Sequence, residues 1–197
     1  MKKDIILAGV GGQGILTIAA TIGWAAVEAG LFLKQAEVHG MSQRGGDVQS
    51  NLRLSDKDIA SDLIPFGKAD MILSVEPLES LRYLPMLSPK GWLITNIEPF
   101  INIPNYPEMD AIMAEIEKLP YFVALDAELI AKEIGSVRSA NMVMLGAASP
   151  FLDIDYHFLE NAISKLFGKK GDKIVAQNLE AMKAGRKVAE EKIGGNF

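Results

Sequence analysis

The strongest constraint on this chain sits near its start. A short apolar run, Asp4 to Ala8, passes directly into Gly9-Val10-Gly11-Gly12-Gln13-Gly14, and then into apolar residues at helical spacing. A run that is apolar on both faces and ends at glycine reads as a buried strand of a parallel sheet. Ile15, Ile18, Ala19, Ile22, Ala26 and Ala29 recur with a helical period, and Gly30 offers a left-handed stop. Leu31 to Val38 then reads as a second strand. A strand, glycine turn, helix and strand in that order cross over right-handedly and form the front of a Rossmann-like fold.

Gly9, Gly11 and Gly14 satisfy G-x-G-x-x-G in the context that gives the pattern meaning, after a strand and opening a helix. On this reading Gly9 permits a tight turn, Gly11 lets backbone amides approach an anion, and Gly14 lets helix and strand pack closely, with free helix-start amides facing a phosphate. Glu37, 23 residues after Gly14, stands where a ribose-binding acid is expected in a dinucleotide site. The long Gln13 amide argues against a dinucleotide: it crowds the helix start and suits hydrogen bonding to a ligand or a facing subunit. The competing interpretation of the whole turn is close packing alone.

A second polar, glycine-bearing segment, HGMSQRGGDVQS from His39 to Ser50, stands where a simple alternating fold would begin another helix. Its Ser42, Gln43, Arg44, Gly45 and Gly46 make it a candidate functional loop. Arg44 suits a phosphate or carboxylate through its two-pronged donor face. Both glycine segments are expected on the rim at the carboxyl ends of the strands. His39 has no assigned proton-transfer role, and His157 is expected on a surface or in packing.

Further along, Asn51 to Leu54 alternates like an edge strand, and Asp70 to Val75, Trp92 to Thr95 and Tyr121 to Leu125 read as strands. Prolines at 99, 104 and 107 exclude a regular element there. Asp126 caps a helix that stops at Gly135. Ala140 to Ala148 is apolar nearly all round, as a buried helix is. Beyond Pro150 two amphipathic helices separated by Gly168-Lys169-Lys170-Gly171 read as an antiparallel pair. The expectation is α/β: a Rossmann-like, mostly parallel sheet flanked by helices, with that helix pair at the C-terminal end. It forms one domain over 1–197, with an α/β core at 1–150 and a helical extension at 151–193.

Composition excludes whole classes. The 197 residues include no cysteine, so disulfides, cysteine nucleophiles and the thiolate ligands of iron–sulfur clusters cannot reside on this chain. Two histidines far apart make a zinc site a poor fit. A formal charge of −5 disfavours nucleic acid, and the lack of an 18-residue apolar stretch predicts no membrane span and a cytoplasmic location.

Three segments together, GVGGQG, EVHGMSQRGGDVQS and SANMVMLGAASP at 139–150, resemble the gamma-type domain of 2-oxoacid:ferredoxin oxidoreductases, and the helical tail FGKKGDKIVAQNLEAMKAG extends the resemblance over essentially the whole chain. The resemblance implies the non-cluster subunit of a heteromeric enzyme that oxidatively decarboxylates a 2-oxoacid, an aryl pyruvate in the best match, to an acyl-CoA. A larger alpha subunit would carry thiamine diphosphate, magnesium and 4Fe-4S clusters and pass electrons to ferredoxin. Coenzyme A is the ligand it implies for this domain, which in the family closes against the thiamine site. Gly9, Gly11, Gly12, Gln13 and Gly14, with Ser42, Gln43, Arg44, Gly45 and Gly46, are then candidates for anion binding or subunit contact. A free-standing NAD(P)-dependent 2-oxoacid reductase and a purely architectural subunit are the alternatives.

Overall fold

The computed structural model describes residues 1–40 and 45–194, apart from the His39 side chain; Ser42, Gln43 and Arg44 therefore lie outside the described residues. The strands are β1 (Lys2–Val10), β2 (Phe32–His39), β3 (Asp47–Ser55), β4 (Ala69–Ser74), β5 (Leu87–Asn96) and β6 (Phe122–Leu125). The helices are α1 (Ile15–Glu28), α2 (Pro77–Arg82), α3 (Met109–Ile116), α4 (Ala127–Glu133), α5 (Ala140–Ala148), α6 (Tyr156–Phe167) and α7 (Asp172–Gly194). One sheet runs in the order β2-β3-β1-β4-β5-β6, parallel from β1 through β6 and antiparallel where β3 meets β1 and β2.

The apolar run of β1 is explained by its two partners and its two covered faces. Ile5 and Leu7 pack with Met71, Leu73, Ile94 and Val123 toward α1, α4, α5, α6 and α7. Ile6 joins Ile72 and Leu93 beneath α3, with Leu78 and Leu81 of α2 beside them. Complete burial of each such aliphatic side chain contributes about 1.5–3 kcal/mol. The core on the first face also takes in Leu159, Ala162 and Ile163 of α6 and Ala181 and Met182 of α7.

Two sequence expectations change. The second strand does not lie beside the first: β3 sits between them, pairing Ile5 with Leu52 and Leu33 with Leu54. The Asn51 to Leu54 segment is therefore interior, and β2 is the edge. Its polar alternation survives because its polar side chains are bonded: Asn51 Oδ1 accepts from the Ile64 amide at 3.1 Å and Arg53 Nε donates to Asp4 at 2.8 Å.

The helix at 140–148 is buried from Met142 to Ala148, as its apolar composition predicts. Its closest neighbour is α7. A Cβ on Gly146 would stand 1.9 Å from the Met182 carbonyl oxygen, and one on Gly185 1.8 Å from that of Val143, so the two backbones cross in direct contact. Asp126 caps α4 by accepting from the Leu129 amide at 2.8 Å, and Gly135 ends that helix at φ 70°. The segment around the prolines is irregular, and α3 follows it, where Met109, Ile112, Met113 and Ile116 provide the helical spacing.

Candidate functional site

The glycine turn begins later than the sequence suggests, because β1 continues through Gly9 and Val10. Gly9 is thus a strand residue that allows close packing: a Cβ there would stand 2.4 Å from Val75 Cγ2 and 2.9 Å from Ile15 Cδ1. The turn proper is closed by the Gln13 amide donating to the Val10 carbonyl at 3.2 Å. Gln13 then fastens it with its side chain. Its Oε1 accepts from the Val10 amide at 2.8 Å and its Nε2 donates to the Val75 carbonyl at 3.2 Å. The carboxamide therefore ties β1 to β4 and is not held out for a ligand.

Gly14 opens α1 at φ 83° with its would-be Cβ 2.5 Å from Asn141 Nδ2, so a side chain is excluded both by conformation and by the approach of α5. The Gly11 amide is also engaged, donating to the Gly46 carbonyl at 2.9 Å, which removes it as an anion donor. That same bond brings the two glycine segments together on one rim, as expected. Asn102 Nδ2 adds a second tie at 2.8 Å to the Gly45 carbonyl. What remains for a ligand is the helix start, where the amides of Ile15 and Leu16 precede any intrahelical acceptor.

Gly12, Gln13 and Gly14 border a crevice of about 220 Å³ at the carboxyl ends of β1, β4 and β5 and the start of α4, between strands whose following helices lie on opposite faces of the sheet, whereas Ile15 and Leu16 line a separate hollow with Val10, Gly11 and Val48. Asn96, 1% exposed, sets its floor. Its Nδ2 donates to the Val75 carbonyl at 3.3 Å and to Glu128 Oε2 at 2.8 Å, and its Oδ1 accepts from the Ala127 amide at 3.0 Å. Burial pushes the Glu128 carboxyl above its ordinary range, opposed by the Asn96 hydrogen bond. Arg138 and Asn141 form the far wall. Among the described residues none accepts a hydrogen bond from the Arg138 guanidinium. Arg138 also borders a neighbouring groove of about 660 Å³ that carries Lys170 and Lys173.

A strap from 97 to 107 flanks the rim. It is anchored on the buried Glu76, which accepts from the Glu79 amide at 2.8 Å, from the Phe100 amide at 3.3 Å and from the Tyr106 hydroxyl. Burial, then the Glu76 carboxylate, pushes the Tyr106 hydroxyl well above its usual range. Phe100, Ile101 and Ile103 project from this strap into solvent, as do Leu129 and Val137 across the crevice. Asp47 accepts from the Tyr83 hydroxyl at 3.0 Å beside the second glycine segment.

Glu37 lies on the edge strand, opposite Ser50 and separated from β1 by β3, so the ribose position of a dinucleotide fold is not formed. His157 is exposed, with its ring against Phe158. Asn96, Glu128, Arg138 and Asn141 are the site residues that sequence reasoning missed. The one available signal was Asn96, a carboxamide directly following the apolar run Trp92-Leu93-Ile94-Thr95 at a strand's carboxyl end. Chemically, the crevice offers amide and guanidinium donors for an anion, three carboxamides and one carboxyl group. Among the described residues, no cluster of three or more His, Asp or Glu is placed to hold a metal ion, and no helix is long and apolar enough to cross a membrane.

Residues 4–188 match the family model described as pyruvate ferredoxin/flavodoxin oxidoreductase. The chain is 38% identical over 205 aligned residues to the indolepyruvate oxidoreductase subunit IorB of Thermococcus kodakarensis, covering 98% of this chain and 100% of that one. It is 28% identical to the 2-oxoglutarate synthase subunit KorC of Methanothermobacter marburgensis, over 97% of this chain and 98% of that one. Among solved structures, the 2-oxoglutarate:ferredoxin oxidoreductase of Magnetococcus marinus, with 2-oxoglutarate, coenzyme A and succinyl-CoA bound, superposes with a TM-score of 0.76 at 25% identity, covering 96% of this chain and 31% of that one. The pyruvate oxidoreductase subunit PORC of Thermotoga maritima superposes with a TM-score of 0.70 at 20% identity over 94% of this chain and 96% of that one, a likeness of fold.

Proposed function

The chain belongs to the pyruvate ferredoxin/flavodoxin oxidoreductase family, and from that premise we propose that it is the small subunit of an indolepyruvate-type oxidoreductase, in which it holds coenzyme A for a reaction completed on a larger subunit. The observation that carries this reading is the crevice at the carboxyl ends of the strands, where the glycine turn from Gly12 to Gly14 converges with Arg138, whose guanidinium has no acceptor among the described residues. Such donors suit the phosphates of a coenzyme. The donor chemistry of the chain also fits delegation of the redox step: without cysteine it has no thiolates for 4Fe-4S clusters, so these belong with thiamine diphosphate and magnesium on the partner.

When bound, coenzyme A supplies the thiol that accepts the acyl group. The residues of this chain bind and orient. Gly14 lets the backbone approach the ligand, Gln13 and Asn96 hold the ends of β1, β4, β5 and α4 in fixed register, and Arg138 neutralises negative charge at the far wall. Pre-set positioning of this kind lowers the entropy cost of bringing two reactants together. The second glycine segment, with Gly45 and Gly46 held against the turn and Arg44 in the adjoining stretch, adds a further candidate donor. The exposed Phe100, Ile101, Ile103, Leu129 and Val137 around the opening supply an apolar rim suited to the larger subunit. Electrons would leave through that subunit to ferredoxin.

Calorimetry with coenzyme A on the chain alone and on the reconstituted complex tests this, comparing wild type with Arg138→Ala, Arg44→Ala and Gly14→Ala. Loss of affinity in the crevice variants, with assembly intact, is the expected result. Unchanged affinity and turnover in all three would remove the site. An architectural subunit would instead lose assembly without any change in ligand binding.

A further inference from the structure

The two edges of the sheet are finished differently. At β6 the edge strand has four residues, and the outward carbonyl of Ala124 accepts a hydrogen bond from the Lys192 ammonium of α7. At β2 the edge has eight residues in unbroken register with β3, from Phe32 opposite Ser55 to His39 opposite Val48. It contains no proline, and its one lysine, Lys34, is turned away onto the Ala60 carbonyl at 3.4 Å. Soluble proteins guard long edges with proline, bulges or outward lysines, and this edge has none of these.

The helix above it is also unfinished. α1 carries a single charged residue, Glu28, in fourteen, and a helix apolar all round is normally covered all round. Leu16, Ala20 and Val27 nevertheless face solvent, with Leu16 52% and Val27 58% exposed. They share one face with Gly23, whose would-be Cβ stands 3.1 Å from Leu33 Cδ2, so this stripe overhangs the open edge of β2.

We infer that this flank is the seat of a second copy of the chain, joined by antiparallel β2–β2 pairing about a twofold axis at Gln35, with the α1 helices packed across the same axis. The register is self-complementary. Pairing Gln35 with its own copy sets Phe32, 52% exposed, opposite Val38, 58% exposed, on one face, twice over. Lys34 then faces Ala36, so no charge is set directly against its like. Ala20, one helical turn before Gly23 and so about level with Gln35, leaves the helices room to approach at the axis. An isologous contact needs one surface that fits itself, which this strand and helix provide together.

The absence of native cysteine makes the test free of background. Directly opposite residues in an antiparallel pair have Cα atoms about 4.5–5.5 Å apart, within disulfide range. Mild oxidation of Gln35→Cys should give a covalent dimer, in the full chain and in the complex with its larger subunit, while a control Lys90→Cys on β5 should not. In sedimentation the wild type should weigh twice 21.4 kDa, and Ala20→Arg with Val38→Lys should weaken self-association by about 100-fold or more at unchanged circular dichroism. A monomeric wild type, no cross-link at Gln35→Cys, or hydrogen-exchange protection of β2 that arises only on adding the larger subunit would each overturn the inference. If the double variant fails to fold, the cross-link alone decides.

Discussion

Polar side chains gather at both ends of β1, and the two gatherings differ in what they leave unbonded. At the amino end Asp4 is fully buried, with Arg53 Nε at 2.8 Å, Arg53 Nη2 at 3.1 Å and Lys2 Nζ at 2.6 Å. The rest of the Arg53 fork is used by the Ser61 and Leu63 carbonyls at 2.9 and 3.0 Å. That cluster closes on itself. At the carboxyl end Gln13 and Asn96 are equally committed, yet they frame a crevice also lined by Gly12, Gly14 and Arg138, whose guanidinium has no acceptor among the described residues. A closed cluster holds the sheet; a framed crevice leaves donors for a ligand, the role proposed for it above.

The sharpest way to break this contrast is Asp4→Ala. Removing the carboxylate leaves a largely buried guanidinium without its counter-ion, so a loss of about 3–5 kcal/mol is expected in urea unfolding, with ligand affinity of the surviving folded protein unaltered. Asn96→Ala sits between the two behaviours. It strands the buried Ala127 amide and should cost about 1–3 kcal/mol, with weaker ligand binding because the crevice floor loosens. Arg138→Ala should do the reverse of the first change: stability within about 0.5 kcal/mol of wild type, but coenzyme A affinity down about 10-fold or more by calorimetry.

The smallest effect expected is a pH dependence. Glu128 has its pKa raised above 4.5 by burial, so its carboxyl gains a proton as pH falls through that raised value and then ceases to repel an anion. Affinity for a phosphate ligand should therefore rise a few-fold on acidification through that window, and Glu128→Gln should flatten the profile. A slope that survives the substitution would assign the titration to another group.

The turn was legible because every part of it is local: an apolar run, glycines and a helical period within one stretch of chain. The crevice behind it was not, because Asn96, Glu128 and Arg138 come from separate elements that only the parallel order of β4, β5 and β6 brings together. The misplaced β3 shows a different limit. Alternating polar residues ordinarily mark a strand face in water, but Asn51 and Arg53 spend their polar atoms on the 56–66 loop and on Asp4, which lets an alternating strand lie inside a sheet. Glu37 was misread for the same reason, since its role assumed β2 beside β1. Gln13 stood out in the sequence as a hydrogen-bonding group for a ligand or a facing subunit, and the partners it has in the structure are the protein's own backbone.

The glycine-on-glycine crossing of α5 and α7 reaches into the timing of biosynthesis. Asn141 can sit against Gly14 only when α5 is seated, and α5 is seated on a helix that begins at Asp172. A nascent chain whose first strand, turn and helix have already emerged would still hold an unfinished cradle until that late helix docks. On the proposed coenzyme role, ligand capture would be deferred to the closing stage of folding, and a fragment truncated ahead of α7 should be blind to the coenzyme even with every turn residue in place.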